Sequence, residues 1–362
     1  MHTHWVNTLM RVVDAFCGTG GWSAGAVAAG CTPVLGIDCD ETPLKHWASN
    51  CGSTGGRAVC ATIGGADEDV AWPAPAPDVH VHLSPPCTSL SRARAGGAPA
   101  QSVAAALDAV RCCVRLVLDQ GYASWSLENV STPTVVACMA ALAREHPDRV
   151  AYLTLDAADY GVPSNRVRLI ASTPAVVKAL KELPVTRVSV DDAFAAAGLA
   201  LPARFIKSNT TSRDGAPCVR STQQPAFTVT ASHPLVWCDR AGVTVRCLTV
   251  VESAVLMGFP PGWQLPSGAR VGMRAVGNAV PPPLAKAVMA CAARAAQTIT
   301  TAMEPTPPTT ITTTATGHIA GWHARPDRNS NDVGQLRRKL RRLTERVAAL
   351  EECCKGQGLG SS

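Results

Sequence analysis

Fifteen cysteines are spread over the 362 residues, yet no two stand in C-x-x-C spacing. A zinc site of the usual kind is therefore not expected, nor any other metal site. No run of about 18 apolar residues occurs, so no membrane span is expected. The opening MHTHWVNTLM lacks the charged-then-apolar order of a secretory signal. Scattered cysteines with neither feature read as thiols of an intracellular, reducing compartment. Aromatic residues supply only 4% of a chain that is 46% hydrophobic, so the core must be built mainly of Ala, Val and Leu. The net charge of +6 is too small to identify a polyanionic partner.

What is present is alternation. From 11 to 173, strand-like stretches (RVVDAF, PVLGID, DVHVHLS, ASWSLENV, AYLTLDA, RVRLIAS) are interleaved with helix-like ones such as WSAGAVAAG and QSVAAALDAVRCCVRLVLDQ. Repeated strand–helix units predict an α/β fold, a mostly parallel sheet with helices on both faces. From 174 to 245 short pieces lie between Pro, Gly, Ser and Arg, which predicts a small irregular domain. Helical patterning returns over 246–297. Residues 298–332 are Thr/Pro-rich and too poor in apolar residues for a core, the composition of a disordered linker. Val333, Leu336, Leu340, Leu343, Val347 and Leu350 then form an a/d seam within 333–352, read either as self-association through a short coiled coil or as a helix docked on the main body.

Two local patterns carry chemistry. VVDAFCGTGGWSAG sets Gly18, Gly20 and Gly21 between a strand and a helix, where a ligand can approach the backbone at a helix N-terminus. Asp38, in GIDCD, lies about 20 residues beyond, where an acid at the tip of the second strand can accept from ribose hydroxyls. Together they favour a nucleoside-type cofactor. In HLSPPCTSLSRARAGGAP, Pro85 and Pro86 hold Cys87 stiffly at the end of a strand, beside a loop with Gly96 and Gly97 as hinges. Taken alone, Cys87 is either a buried small hydrophobe or a nucleophile.

With LENV at 127–130, RVR at 166–168 and VGNAVPP at 276–282, these patterns resemble the DNA (cytosine-5) methyltransferases in motif order, over residues 11–296. The resemblance implies a Rossmann-like, class I S-adenosylmethionine-dependent methyltransferase fold with a target-recognition domain at 174–245. It implies Cys87 as the nucleophile at C6 of a flipped-out cytosine, Glu128 as the acid at N3, and Arg166 and Arg168 as residues holding the base and the loop. Phe16, Gly18, Gly20, Gly21, Asp38, Asp40, Asn278 and Val280 match cofactor-binding positions. Pro86, Ser91, Arg92, Arg94, Asn129 and Thr228 match positions toward double-stranded DNA, the two arginines as phosphate contacts in the closing loop. The implied location is the nucleus of a eukaryotic host, otherwise the cytoplasm or nucleoid. The same chemistry on tRNA, and an impaired homologue serving as a nucleic-acid-binding module, are the alternatives.

Three positions depart from the family pattern. Thr88 and Ser164 stand where Gln is usual, and AVCATIGG puts Ala61 or Thr62 where an acid contacts the adenine. Arg246 and Glu252 are expected to buttress the recognition region. Cys17, Cys112, Cys113 and Cys138 read as core fillers, and His80, His82 and His233 as polar surface or loop residues.

Overall fold

The computed structural model describes residues 10–63, 70–91, 98–211 and 215–302. The first half builds one sheet in which strands and helices follow one another: β1 (Arg11–Ala15), α1 (Gly21–Ala28), β2 (Thr32–Asp38), α2 (Glu41–Cys51), β3 (Arg57–Cys60), β4 (Val79–Leu83), α3 (Ala100–Asp119), β5 (Ser124–Val130), α4 (Pro133–Glu145), β6 (Ala151–Asp156) and β7 (Val167–Ser172). The strand order is β3-β2-β1-β4-β5-β7-β6. Strands β1 to β5 pair in parallel, whereas β7 runs antiparallel to both neighbours. No full helix separates β6 from β7, only a 3-10 turn at Ala157–Asp159, so the chain folds back instead of crossing over.

Alternating residues of the strands serve two cores. Val13, Val81, Leu83 and Leu127 face α3 and α4, while Val12 and Ile170 face α1 and α9 (Pro282–Ala302). The pairing of α1 with α9 depends on two missing side chains. A Cβ at Gly21 would lie 2.3 Å from the Val280 carbonyl, and one at Gly25 would lie 2.3 Å from the Pro282 carbonyl. Cys17, Cys112, Cys113 and Cys138 are buried, as expected of core fillers.

Helix α5 (Pro174–Lys181) is followed by α6 (Val190–Ala196), β8 (Phe205–Thr211), β9 (Pro217–Ser221), β10 (Val236–Cys238) and β11 (Thr244–Cys247), then α7 (Val250–Leu256) and α8 (Ala269–Asn278). The region expected to be irregular is thus an antiparallel four-stranded sheet, in the order β11-β10-β8-β9. Short strands interrupted by Pro, Gly and Arg conceal this sheet from a periodicity reading. Helix α5 packs Val176 and Leu180 into the α1/α9 core, so it attaches to the large sheet and not to the small one. Helix α9 continues to Ala302, into the segment read as linker. The rest of that segment and the heptads at 333–350 lie outside the described residues.

His80 and His82 depart from expectation most sharply. Both are fully buried in β4, a central strand covered on both faces. His80 Nδ1 and Nε2 lie 2.8 Å from the hydroxyls of Ser124 and Ser126, His82 Nδ1 lies 2.9 Å from Ser126 Oγ, and the Trp22 ring stacks on His82. His233 is exposed, as expected. No helix among the described residues is long and apolar enough to cross a membrane.

Candidate active site

In an open parallel sheet, ligands gather at the carboxyl ends of the strands where the order reverses. Here that point lies between β1 and β4. The glycine turn follows β1, Asp38 ends β2, the SPPC segment follows β4 and Glu128 lies near the end of β5. Because β7 is antiparallel, its first residues reach the same edge, and Arg168 pairs across from Val130.

The glycine turn is held in an unusual backbone. Phe16, Gly18 and Gly20 all have positive φ (64°, 52° and 87°), the first of them at a cost a non-glycine residue bears only when its surroundings impose it. Gly18 N donates to Asp38 Oδ2 at 2.8 Å, and Asp40 N donates to Asp38 Oδ1 at 2.9 Å. Burial pushes the Asp38 carboxyl above its ordinary value, against these two backbone donors. A Cβ at Gly18 would meet nothing within 4 Å, so the turn opens onto free space at the N-terminus of α1. Beneath it, Asp14 accepts from Ser23 N and Oγ, and Trp47 Nε1 donates to Ser23 Oγ at 2.8 Å. Burial raises Asp14 to about 7 despite the Ser23 bonds.

Several expected cofactor residues turn out to contact each other. Gly21 abuts the Val280 carbonyl, and Val280 is buried in the α1/α9 core. Asp40 caps α2 by accepting from Thr42 N, and its Oδ2 lies 2.6 Å from Arg274 Nη2. The Asn278 side chain is exposed at the end of α8.

Cys87 is half-buried at the cap of a 3-10 turn, Thr88–Leu90, after half-buried Pro86. Thr88 is exposed, and Ser91 follows in extended backbone. Asn129 ties this segment to β5: its Nδ2 donates to the Pro85 carbonyl at 3.1 Å, and its Oδ1 accepts from Val130 N. Arg168 Nε lies 2.9 Å from Glu128 Oε1, with both side chains nearly buried. Burial draws the Arg166 guanidinium below its ordinary value and Arg168 adds to this, while the charges of Glu128 and Cys87 oppose it. Arg166 is therefore within electrostatic reach of Cys87, Glu128 and Arg168. Arg92, Arg94, Gly96 and Gly97 lie outside the described residues.

Arg166 does not point a free guanidinium at a base. It donates to the carbonyls of Val229, Gly277 and Ala279 at 3.0, 2.9 and 3.1 Å, clamping the small-sheet region to the VGNAVPP segment. Thr228, expected at the nucleic acid, donates its hydroxyl to the Asn165 carbonyl at 2.7 Å in the same seam. A Cβ at Gly277 would lie 2.3 Å from Ala231 N, so the two backbones touch there. Ser164, the departure from Gln, is fully buried and donates to the Leu256 carbonyl at 2.7 Å. Arg246 and Glu252 buttress the small sheet as expected, through contacts of 2.6 and 2.8 Å, and Trp237 Nε1 adds a third bond.

Residues 203–292 match the C-5 cytosine-specific DNA methylase family. The methylase match begins just before β8 and ends in α9, so it covers the small sheet and the return to the large one. It bears out the resemblance drawn from motifs that lie mostly before it. No curated protein sequence matches the chain. Among solved structures, a putative DNA modification methyltransferase encoded within a prophage (E. coli) is similar at 18% identity and TM-score 0.53, over 78% of this chain and 98% of its own. The Dnmt2 methyltransferase of S. pombe is similar at 14% identity and TM-score 0.52, over 80% of this chain and 99% of its own. At these identities the two share the methyltransferase fold.

Sequence reading missed Trp263, Asn50, Gln264 and Arg274, which tie the chain between α7 and the end of α8 to the glycine turn and to the two ends of α2. Their partners are more than 200 residues away in the chain, and no short motif announces them.

Proposed function

We propose that the chain is an S-adenosylmethionine-dependent cytosine-5 methyltransferase acting on double-stranded DNA. The observation that carries this reading is the meeting, at one sheet edge, of a stiffly mounted thiol, a carboxylate paired with arginine and a glycine turn held by a ribose-type acid.

The donor set fits the cofactor. Gly18 leaves open space over a helix N-terminus with no acid in its first turn, suited to an anionic group. Each Asp38 oxygen has two acceptor sites, and one backbone donor on each leaves capacity for ribose hydroxyls. When bound, S-adenosylmethionine would supply an electrophilic methyl group to C5.

Cytosine C5 is a weak nucleophile until a nucleophile adds at C6. The Cys87 thiolate would form a bond from Sγ to C6 of a base turned out of the stack, moving an electron pair into the ring toward N3. Glu128, as the acid, would hydrogen-bond or protonate N3 and so stabilise that charge. Arg168 would act on the base through Glu128, by fixing the carboxyl. Asn129 would keep the SPPC segment against β5, and Pro86 would restrict the thiol's approach. Arg166 would act as the seam clamp described above. Restoring the ring requires loss of the C5 proton and cleavage of the C6–S bond, which returns the thiolate. Ser91, Arg92, Arg94 and Thr228 remain candidates on the nucleic-acid side, and the heptads at 333–350 a route to self-association.

The test is transfer of a labelled methyl group from S-adenosylmethionine, offered in parallel to duplex DNA and to tRNA, with 5-methylcytosine mapped in the product. Label in DNA and not in tRNA is expected. Label only in tRNA would transfer the same chemistry to RNA, and DNA binding without label in either would leave a nucleic-acid-binding module.

A further inference from the structure

The segment joining α7 to α8 holds none of the five motifs, yet it makes polar attachments at two places in the first half of the chain, and α8 adds a third. Trp263 Nε1 donates to the Thr19 carbonyl at 2.9 Å. Asn50 Nδ2 donates to the Gln264 carbonyl at 3.0 Å, and Gln264 N donates back to Asn50 Oδ1 at 2.8 Å. On α8, Arg274 reaches Asp40 at 2.6 Å. The three anchors are separate: the glycine turn, the last turn of α2 and the cap between β2 and α2.

The Trp263 contact is placed where the turn needs it. Gly18 and Gly20 take positive φ freely, but at Phe16 that conformation has to be imposed by the surroundings. Asp38 holds the turn from one side, through the N–H of Gly18. Trp263 holds the next residue through the C=O of Thr19, and its ring shares the space beside Gly20 with Trp47, a Cβ there lying 2.9 Å from Trp47 Cδ1 and 3.1 Å from Trp263 Cζ2. The Thr19 hydroxyl has no hydrogen-bond partner, and the side-chain bond made within the turn is the long one from Cys17 Sγ to the Gly18 carbonyl at 3.8 Å.

We propose that Trp263 is a positioning residue for the nucleoside-type cofactor, pinning the glycine turn in its binding shape, and that Gln264 and Arg274 fasten the same segment as a strap. The ligand half of this inference rests on the methyltransferase reading. The strap begins at α7, whose Glu252 holds Arg246 and Trp237 of the small sheet, and ends at α8, whose last residue is Asn278. It thus gives the small sheet a continuous physical connection to the cofactor turn. A preorganised turn spares the cofactor the cost of ordering it. Loss of one such hydrogen bond corresponds to about a fivefold to tenfold change in affinity.

The experiment uses the full chain, as wild type, Trp263→Phe and Arg274→Gln. Amide exchange is measured at Gly18 and Gly20 without ligand, and S-adenosylmethionine is titrated by calorimetry. Trp263→Phe keeps most of the ring packing and should speed exchange at the turn. It should also weaken S-adenosylmethionine about fivefold to tenfold, while affinity for duplex DNA and kcat at saturating cofactor stay within about twofold. Arg274→Gln should act in the same direction. A wild-type chain that binds the cofactor, with both variants matching it in exchange and in Kd, overturns the positioning role alone. A wild-type chain that takes up no S-adenosylmethionine overturns the methyltransferase reading and the positioning role with it.

Discussion

Arg168 sets its Nε 2.9 Å from Glu128 Oε1, and the two side chains are only 13% and 8% exposed. The pair joins the start of β7 to the end of β5, two strands held in antiparallel register at that point. Replacing Arg168 by an apolar residue takes away the nearly buried Glu128 carboxyl's ion-pair partner, whereas Gln at 128 keeps an oxygen toward Arg168. Arg168→Leu is expected to destabilise the fold by about 3–5 kcal/mol, as read by urea unfolding. Glu128→Gln keeps the shape and should lower the methylation rate by about 10²-fold or more, with the fold retained.

Gly21 and Gly18 should fail differently when given a methyl group. At Gly21 the new Cβ meets a carbonyl at 2.3 Å, and backbone cannot give way cheaply, so Gly21→Ala should cost stability by about 1–3 kcal/mol. At Gly18 the space is open and the penalty comes only from φ of +52°, about 1–2 kcal/mol. Gly18→Ala should nonetheless weaken cofactor binding more than Gly21→Ala does. Unfolding curves and cofactor titrations on both variants separate the two effects.

The buried histidines should make the fold acid-sensitive. Burial lowers His80 to about 3 and His82 well below the ordinary 6.5. Both are neutral in the folded state and protonated when unfolded below pH 6.5, so stability is lost as pH falls below 6.5. Asp14, raised by burial to about 7, works in the opposite direction, because between about 4 and 7 the folded state holds a proton that the unfolded state has lost. Two groups against one leave a net loss of stability from these three as pH falls from about 6.5 toward 4. Asp14→Asn removes the opposing group and should make the loss about twice as steep. Urea unfolding at pH 7.5, 6.0 and 5.0 measures both slopes.

Ser164 fills the position of a larger residue without leaving a gap in hydrogen bonding. Restoring the family's glutamine should therefore overpack a closed site. Ser164→Gln is expected to lower stability by about 1–3 kcal/mol, as seen in a thermal melt, and not to raise activity.

How far the sequence could be read depended on how local each feature is. The glycine turn, Asp38, the SPPC segment and Glu128 each announce themselves within a few residues, and their strands all end at one edge. The alternation of His80 and His82 with Val79, Val81 and Leu83 suggests a half-exposed strand, whereas both histidines are fully buried. Their hydroxyl partners, Ser124 and Ser126, lie over 40 residues away on β5. Arg166 and Thr228 also close a seam whose carbonyls come from segments distant in the chain, a role their local motifs do not announce. The strap around Trp263 was invisible for the same reason. Long-range polar pairs leave no periodic trace.

The central claim is that Cys87 attacks C6 of a cytosine. Duplex DNA containing 5-fluorocytosine at mapped target sites, incubated with the protein and S-adenosylmethionine, tests it most directly. A fluorine at C5 cannot leave as a proton does, so the account predicts a denaturant-stable protein–DNA adduct with wild type and none with Cys87→Ala. Wild-type protein that binds both DNA and cofactor without forming the adduct would contradict it, as would an adduct that survives in Cys87→Ala.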